Sequence, residues 1–153
     1  MNKIHQISAE HLAIEQIGEI IKNGTKLELS EDARKRIMRC REYLDNKIKE
    51  SETPIYGVTT GFGSLCKISI DKDSLSQLQK NLVMSHACGI GDRVPNEIVK
   101  IMLLLKIQSL SYGYSACQLK TIERLIDFFN NDIYPIVYMQ GSLGASGDLV
   151  PLA

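Results

Sequence analysis

Pro95-Asn96-Glu97-Ile98-Val99-Lys100-Ile101-Met102-Leu103-Leu104-Leu105-Lys106-Ile107-Gln108-Ser109-Leu110-Ser111-Tyr112 is the stretch whose reading decides the fold. Proline opens it, and its fixed φ and missing N–H suit the first turn of a helix. Ile98, Ile101, Leu104 and Leu105 then recur at helical spacing. Apolar residues fall on most sides of such a helix, so the pattern predicts a buried central helix reaching about Tyr112. A helix of that kind needs other helices packed around it, which makes the class mainly α.

The flanking sequence supplies them. Before the central helix, Ser8 is expected to cap a first helix carrying Leu12, Ile14, Ile17, Ile20 and Ile21, with Asn23-Gly24 ending it. Lys26-Leu27-Glu28-Leu29 alternates polar and apolar and reads as a short strand. Ser30 caps a second helix, with Glu31 and Asp32 in its first turn, running to about Lys49. A third helix is predicted from near 72 to 87, with Leu75, Leu78, Leu82 and Val83 as its apolar stripe, closed by Gly89 and Gly91. Beyond the central helix, Ser115 is expected to cap a fifth from 116 to about 130. The sum is a helical domain with two Gly-rich loops and at most short β-strands. No internal boundary is evident, so residues 1–153 read as one unit.

Composition narrows the function classes. Hydrophobic residues make up 44% and charged residues 24%, which suits a soluble globular chain. Eighteen Lys and Arg balance 18 Asp and Glu. A nucleic-acid partner usually demands a basic excess, so none is expected. The longest apolar run, residues 101–105, stops at Lys106 and is far too short to cross a bilayer. The first residues lack the apolar stretch of a secretory signal. Cys40, Cys66, Cys88 and Cys117 form no Cys-x-x-Cys pair. They read as reduced, mostly buried thiols of a cytoplasmic protein, with no metal site. The chain stops at Val150-Pro151-Leu152-Ala153, directly after its most Gly-rich segment, which reads as part of a longer protein.

The chemistry concentrates in two loops, Ile55-Tyr56-Gly57-Val58-Thr59-Thr60-Gly61-Phe62-Gly63 and Gly141-Ser142-Leu143-Gly144-Ala145-Ser146-Gly147-Asp148. Neither ends in the Lys-Ser/Thr of a phosphate-binding loop. Gly61-Phe62-Gly63 lacks the third glycine of a dinucleotide fingerprint. Asp148 stands where a Gly-x-Ser-x-Gly nucleophile elbow would need glycine. By composition alone, both loops could be tight turns, because glycine serves backbone geometry more often than chemistry. His5 and His11 lie in the first helical region and are expected to face solvent.

Three segments carry a more specific signal. Tyr56-Gly57-Val58-Thr59-Thr60-Gly61-Phe62-Gly63, Ser85-His86-Ala87-Cys88-Gly89 and the run from Gly141 through Asp148-Leu149-Val150-Pro151-Leu152-Ala153 closely resemble the histidine and aromatic amino-acid ammonia-lyases, in order and in spacing. The resemblance extends from about Glu28 to the end. Cys88 and Val150 depart mildly from it, each standing where alanine is common. It implies that Ala145, Ser146 and Gly147 close autocatalytically into 4-methylidene-imidazole-5-one, with no external cofactor. The Gly147 nitrogen would attack the Ala145 carbonyl, and Ser146 would lose its hydroxyl to leave the electrophilic carbon. Gly141 and Gly144 would let the loop bend that far, and such proximity is worth roughly 7–11 kcal/mol of barrier.

The resemblance further implies that Tyr56 takes the substrate's β-proton. A phenol titrates near ~10 when unperturbed, so it has to be tuned to serve as a base. His86 would face the substrate side chain. Family members that take phenylalanine carry an apolar residue there, whereas a histidine there goes with imidazole or phenol substrates. The implied reaction is non-oxidative deamination of L-histidine to urocanate and ammonia, by a homotetramer whose later residues and neighbouring subunits complete each site. Tyrosine deamination or an aromatic aminomutase would use the same motifs. A non-catalytic helical module, for the chain by itself, and an anion-binding protein are the readings outside catalysis.

Overall fold

A computed structural model describes residues 3–51, 53–68, 70, 72–142 and 149–152. The chain divides into two units, Met1–Asp45 with Pro95–Pro135 and Asn46–Val94 with Ile136–Ala153. Helices dominate, as the sequence predicts: α1 (Ile14–Lys22), α2 (Glu31–Glu50), α3 (Leu75–His86), α4 (Asn96–Ser111) and α5 (Leu119–Asn130). The strands described are three or four residues each: β1 (Ile4–Ile7), β2 (Lys26–Leu29), β3 (Ile90–Arg93) and β4 (Tyr138–Gln140). Among the described residues, no helix is long and apolar enough to cross a membrane.

The first unit is built on α4. Val99, Leu103, Leu104, Ile107, Gln108 and Ser111 are buried along one face. Ile98 and Leu105 stay about half exposed, so α4 is covered on one side in this chain rather than on most sides. Its core partners are Ile7 of β1, Leu27 and Leu29 of β2, Ala33 and Ile37 of α2, and Ile122, Ile126 and Phe129 of α5. Two buried polar groups on α4 are satisfied, as burial requires. Gln108 donates to the carbonyls of Ser8 (2.9 Å) and Glu10 (3.2 Å), and Ser111 donates to Ile107 (2.7 Å).

β1 pairs with β2 in parallel, Ile4 opposite Lys26 and Ile7 opposite Leu29. The side chain of Asn130 extends this ladder like a strand of one residue. Its oxygen accepts from the Leu27 N–H (2.7 Å) and its amide donates to the Leu27 carbonyl (2.8 Å). Lys26 Nζ donates to the Asn130 carbonyl, so the end of α5 is fastened to β2.

Cap chemistry accounts for both the agreements and the misses. Ser30 Oγ accepts from the Ala33 N–H (3.2 Å), the N-cap bond expected of it. Gly24 closes α1 with φ +60, where a side chain would be strained. Ser8 does not cap α1. Its hydroxyl accepts from the Glu10 N–H (3.2 Å) in a turn after β1, and the helix begins at Ile14, where Gln16 reaches back to the Ala13 N–H (2.9 Å). His5 therefore lies on a strand and is half-buried, not solvent-facing, and burial pushes its imidazole below the ordinary value. Ser115 does not cap α5 either. Ala116 adopts φ +49, its carbonyl accepts from Arg41 (3.4 Å), and the helix starts three residues later.

In the second unit, a 3₁₀ turn (Gly63–Lys67) and another (Lys72–Ser74) precede α3. β3 runs antiparallel to β4, Ile90 opposite Gln140 and Arg93 opposite Tyr138, with a bulge between. Neither strand shows in the sequence, where Gly89 and Gly91 read simply as helix closers. The cysteines are free, but they are less buried than their residue type suggests: Cys88 is exposed and the other three are intermediate.

Candidate active site

The loop from Ile55 to Gly63 is shaped by its own threonines. The Ile55 carbonyl accepts from the N–H groups of Val58 (3.0 Å) and Thr59 (2.9 Å), and Thr59 Oγ1 accepts from the Ile55 N–H (2.8 Å). Thr60, fully buried, accepts from the Gly57 N–H (3.2 Å) and donates to the Gly61 carbonyl (3.0 Å). Gly57 sits at φ +69, and a Cβ there would stand 2.7 Å from the Phe62 ring. Only glycine meets both conditions. The turn folds the chain back, so the Phe62 ring lies 5.8 Å from that of Tyr56 at 48°. The Gly63 N–H donates to the Tyr56 phenol oxygen (3.3 Å), which fixes the ring's direction. Tyr56 nonetheless remains 61% exposed.

His86 is the last residue of α3, as the sequence places it. Its Nδ1 lies 2.7 Å from the Leu82 carbonyl, which also accepts from Ser85 Oγ (2.8 Å), and Ser85 Oγ and Nδ1 are 3.1 Å apart. A carbonyl can only accept, so Nδ1 carries the proton. In the neutral ring this leaves the Nε2 lone pair free to accept a hydrogen bond. The Phe62 ring meets His86 edge-on, 6.0 Å away at 71°. Gln79, two turns before His86 on the same helix, donates to the Gly57 carbonyl (3.2 Å) and ties the first loop to α3.

Tyr56 and His86, predicted separately, thus stand at the two ends of one aromatic row with Phe62 between them. Phe62 and Gln79 were not singled out in the sequence. Their roles depend on how the turn closes, and the one available signal is that Phe62 lies between two glycines.

Ala145, Ser146 and Gly147 lie outside the described residues, so the arrangement of the predicted ring precursor is not seen. Its flanks are. On one side, Gln140 of β4 is registered opposite Ile90, four residues after His86. On the other, Val150 is buried at 6%. A Cβ on Gly89 would come within 3.1 Å of Tyr138 Cβ and 3.2 Å of Val150 Cγ1, so Gly89 is where both flanks close on the end of α3. The two flanks are both held to the segment that follows His86. Among the described residues, no three His, Cys, Asp or Glu side chains cluster. The first unit has a cleft of about 280 Å³ lined by Lys3, His5, Gln16, Glu19 and Thr25, and no predicted site residue lines it.

Comparison with known proteins bears on the family and the fold. The model of the aromatic amino acid lyase family matches residues 12–153. Histidine ammonia-lyase of Deinococcus radiodurans is 49% identical over 142 residues, 93% of this chain and 27% of that protein. Histidine ammonia-lyase of Streptococcus gordonii is 40% identical over 153 residues, all of this chain and 30% of that protein. The solved structure of the ergothioneine-degrading enzyme ergothionase from Treponema denticola superposes with a TM-score of 0.90 at 27% identity, covering 98% of this chain and 30% of that one. The chain therefore spans about 30% of the length of the curated relatives it matches.

Proposed function

The chain belongs to the aromatic amino acid lyase family, and on that footing we propose that a protein of its relatives' length carrying it deaminates L-histidine to urocanate and ammonia. The observation that carries the reading is the row Tyr56–Phe62–His86, which provides a proton acceptor and a hydrogen-bond acceptor for a ring substrate. Tyr56 takes the proton from the substrate's β-carbon as the bond from the α-carbon to nitrogen breaks. Its exposed phenol, oriented by the Gly63 N–H, is reachable for that step. His86 accepts the imidazole N–H of the substrate at Nε2, while the Leu82 carbonyl holds the tautomer that makes this possible. A substrate that cannot supply that N–H leaves the acceptor unpaired, which discriminates better than an apolar slot.

Ala145, Ser146 and Gly147 are the residues that would hold 4-methylidene-imidazole-5-one, whose contribution is an electrophile that turns the substrate's amino group into a leaving group. The residue types fit: a bare glycine nitrogen, an unhindered alanine carbonyl and a serine hydroxyl that can be lost. We further assign a cytoplasmic homotetramer as the working form. Val83, Met84 and Ile90, each more than half exposed on this chain, support a covering surface contributed from elsewhere. Tyrosine is the second reading, because a phenol O–H can donate to Nε2 equally well.

Near-ultraviolet absorbance of the full-length protein incubated with each amino acid tests the proposal. Product absorbance rising with L-histidine is expected. A rise with L-tyrosine and none with L-histidine would overturn the substrate, and no rise with either would overturn the activity.

A further inference from the structure

We propose that Phe62 is a positioning residue that sets the distance and orientation between the Tyr56 phenol and the His86 imidazole. The inference rests on the histidine deamination reading above and adds to it the residue that joins its two acceptors. Three observations meet at this ring. It contacts both partners, Tyr56 at 5.8 Å and 48° and His86 at 6.0 Å and 71°. The second is the tilted, edge-on arrangement that ring quadrupoles favour. The backbone on both sides is shaped around it: Gly57 leaves room that a Cβ would fill at 2.7 Å, and the N–H of the next residue, Gly63, holds the Tyr56 oxygen. Finally, Phe62 is 37% exposed, so it is not a core residue whose main effect is stability.

Among the described residues, a second tie joins the two elements that Phe62 connects, the Gln79 bond to the Gly57 carbonyl. That bond fixes the loop backbone but acts two turns away from His86 along α3. Without the ring, the phenol and the imidazole keep their own local bonds, to Gly63 and to Leu82, but lose their common reference. Both must engage one substrate at once, one at the β-carbon and one at the side-chain ring. A misplacement of about 1 Å can cost on the order of 10²-fold in rate.

Phe62→Leu in the full-length protein keeps apolar bulk and removes the ring edges; Phe62→Tyr keeps the ring. On L-histidine, Phe62→Leu is expected to lower kcat/KM roughly 10- to 100-fold by the same misplacement argument, with Tm within a few degrees of wild type and Phe62→Tyr restoring most of the activity. Selectivity for histidine over phenylalanine should fall as well, and the pH profile of kcat/KM should shift, since neither responds to a loss of stability alone. Wild-type rate, selectivity and pH profile in Phe62→Leu would overturn the inference, as would a rate loss that tracks Tm or that Phe62→Tyr fails to rescue. A wild-type protein that forms no urocanate removes the underlying reading instead, and the inference with it.

Discussion

The two units of the chain treat their apolar residues differently. In the first, Ile7, Ile37, Leu104, Ile107, Ile122 and Phe129 are buried to 1% exposure or less. In the second, α3 has no buried residue among those described, and all four residues of β3 are exposed. Among its described residues, the buried side chains are Thr60, Val137 and Val150, which close the loop and the strand pair. The first unit is held by a contiguous core. The second is held by local hydrogen bonds, two short strands and a row of partly exposed rings. A side chain that meets a substrate has to be reachable, and the unit that holds the proposed site keeps its rings at the surface.

That contrast can be broken by mutation. Tyr56→Phe in the full-length protein is expected to lower kcat roughly 10²- to 10⁴-fold, the usual worth of a positioned general base. Its Tm should not move, because the ring stays and the site is exposed; a Tm loss matching the rate loss would make Tyr56 a packing residue. Phe129→Ala attacks the other unit. It is expected to cost about 3–5 kcal/mol of stability, read from denaturant unfolding, while KM for the folded fraction is unchanged.

Asn130→Ala leaves the Leu27 N–H and carbonyl without their side-chain partners and should cost about 1–3 kcal/mol. A value near zero would mean that the clasp between α5 and β2 adds nothing to the core. His86→Leu should shift the ratio of kcat/KM for histidine over phenylalanine downward by roughly tenfold or more, with stability intact.

The smallest effect concerns His5. Burial lowers its folded pKa below the ordinary 6.5, so the unfolded chain binds the proton more readily. Its contribution is therefore full above pH 6.5 and is lost as pH falls from there through the lowered folded value. His5→Gln should flatten that part of the stability profile. A slope unchanged by the substitution would place the titration elsewhere.

What the sequence reveals follows the same division. α2 and α4 are legible because their signals are local: Ser30 bonds three residues ahead, and Pro95 opens its own helix. β1, β3 and β4 are not, because each is three or four residues long and exists through a partner far along the chain, Ile4 with Lys26 or Ile90 with Gln140. Ser8 and Ser115 mislead because serine suits turns as well as helix caps. In the proposed site, Tyr56 and His86 stand out through the resemblance of their motifs. Phe62 and Gln79 do not, since their contacts arise only once Gly57 takes its left-handed turn. Residues 145–147 stand at the opposite extreme, with the most specific sequence in the chain and no described geometry.

They are also where the central claim is most directly tested, by the intact mass of the full-length protein and of the proteolytic peptide spanning 141–153. Ring closure and dehydration remove two waters, so the account predicts a mass about 36 Da below that of the encoded sequence, located in that peptide. An unmodified mass in a protein that turns over histidine would contradict it.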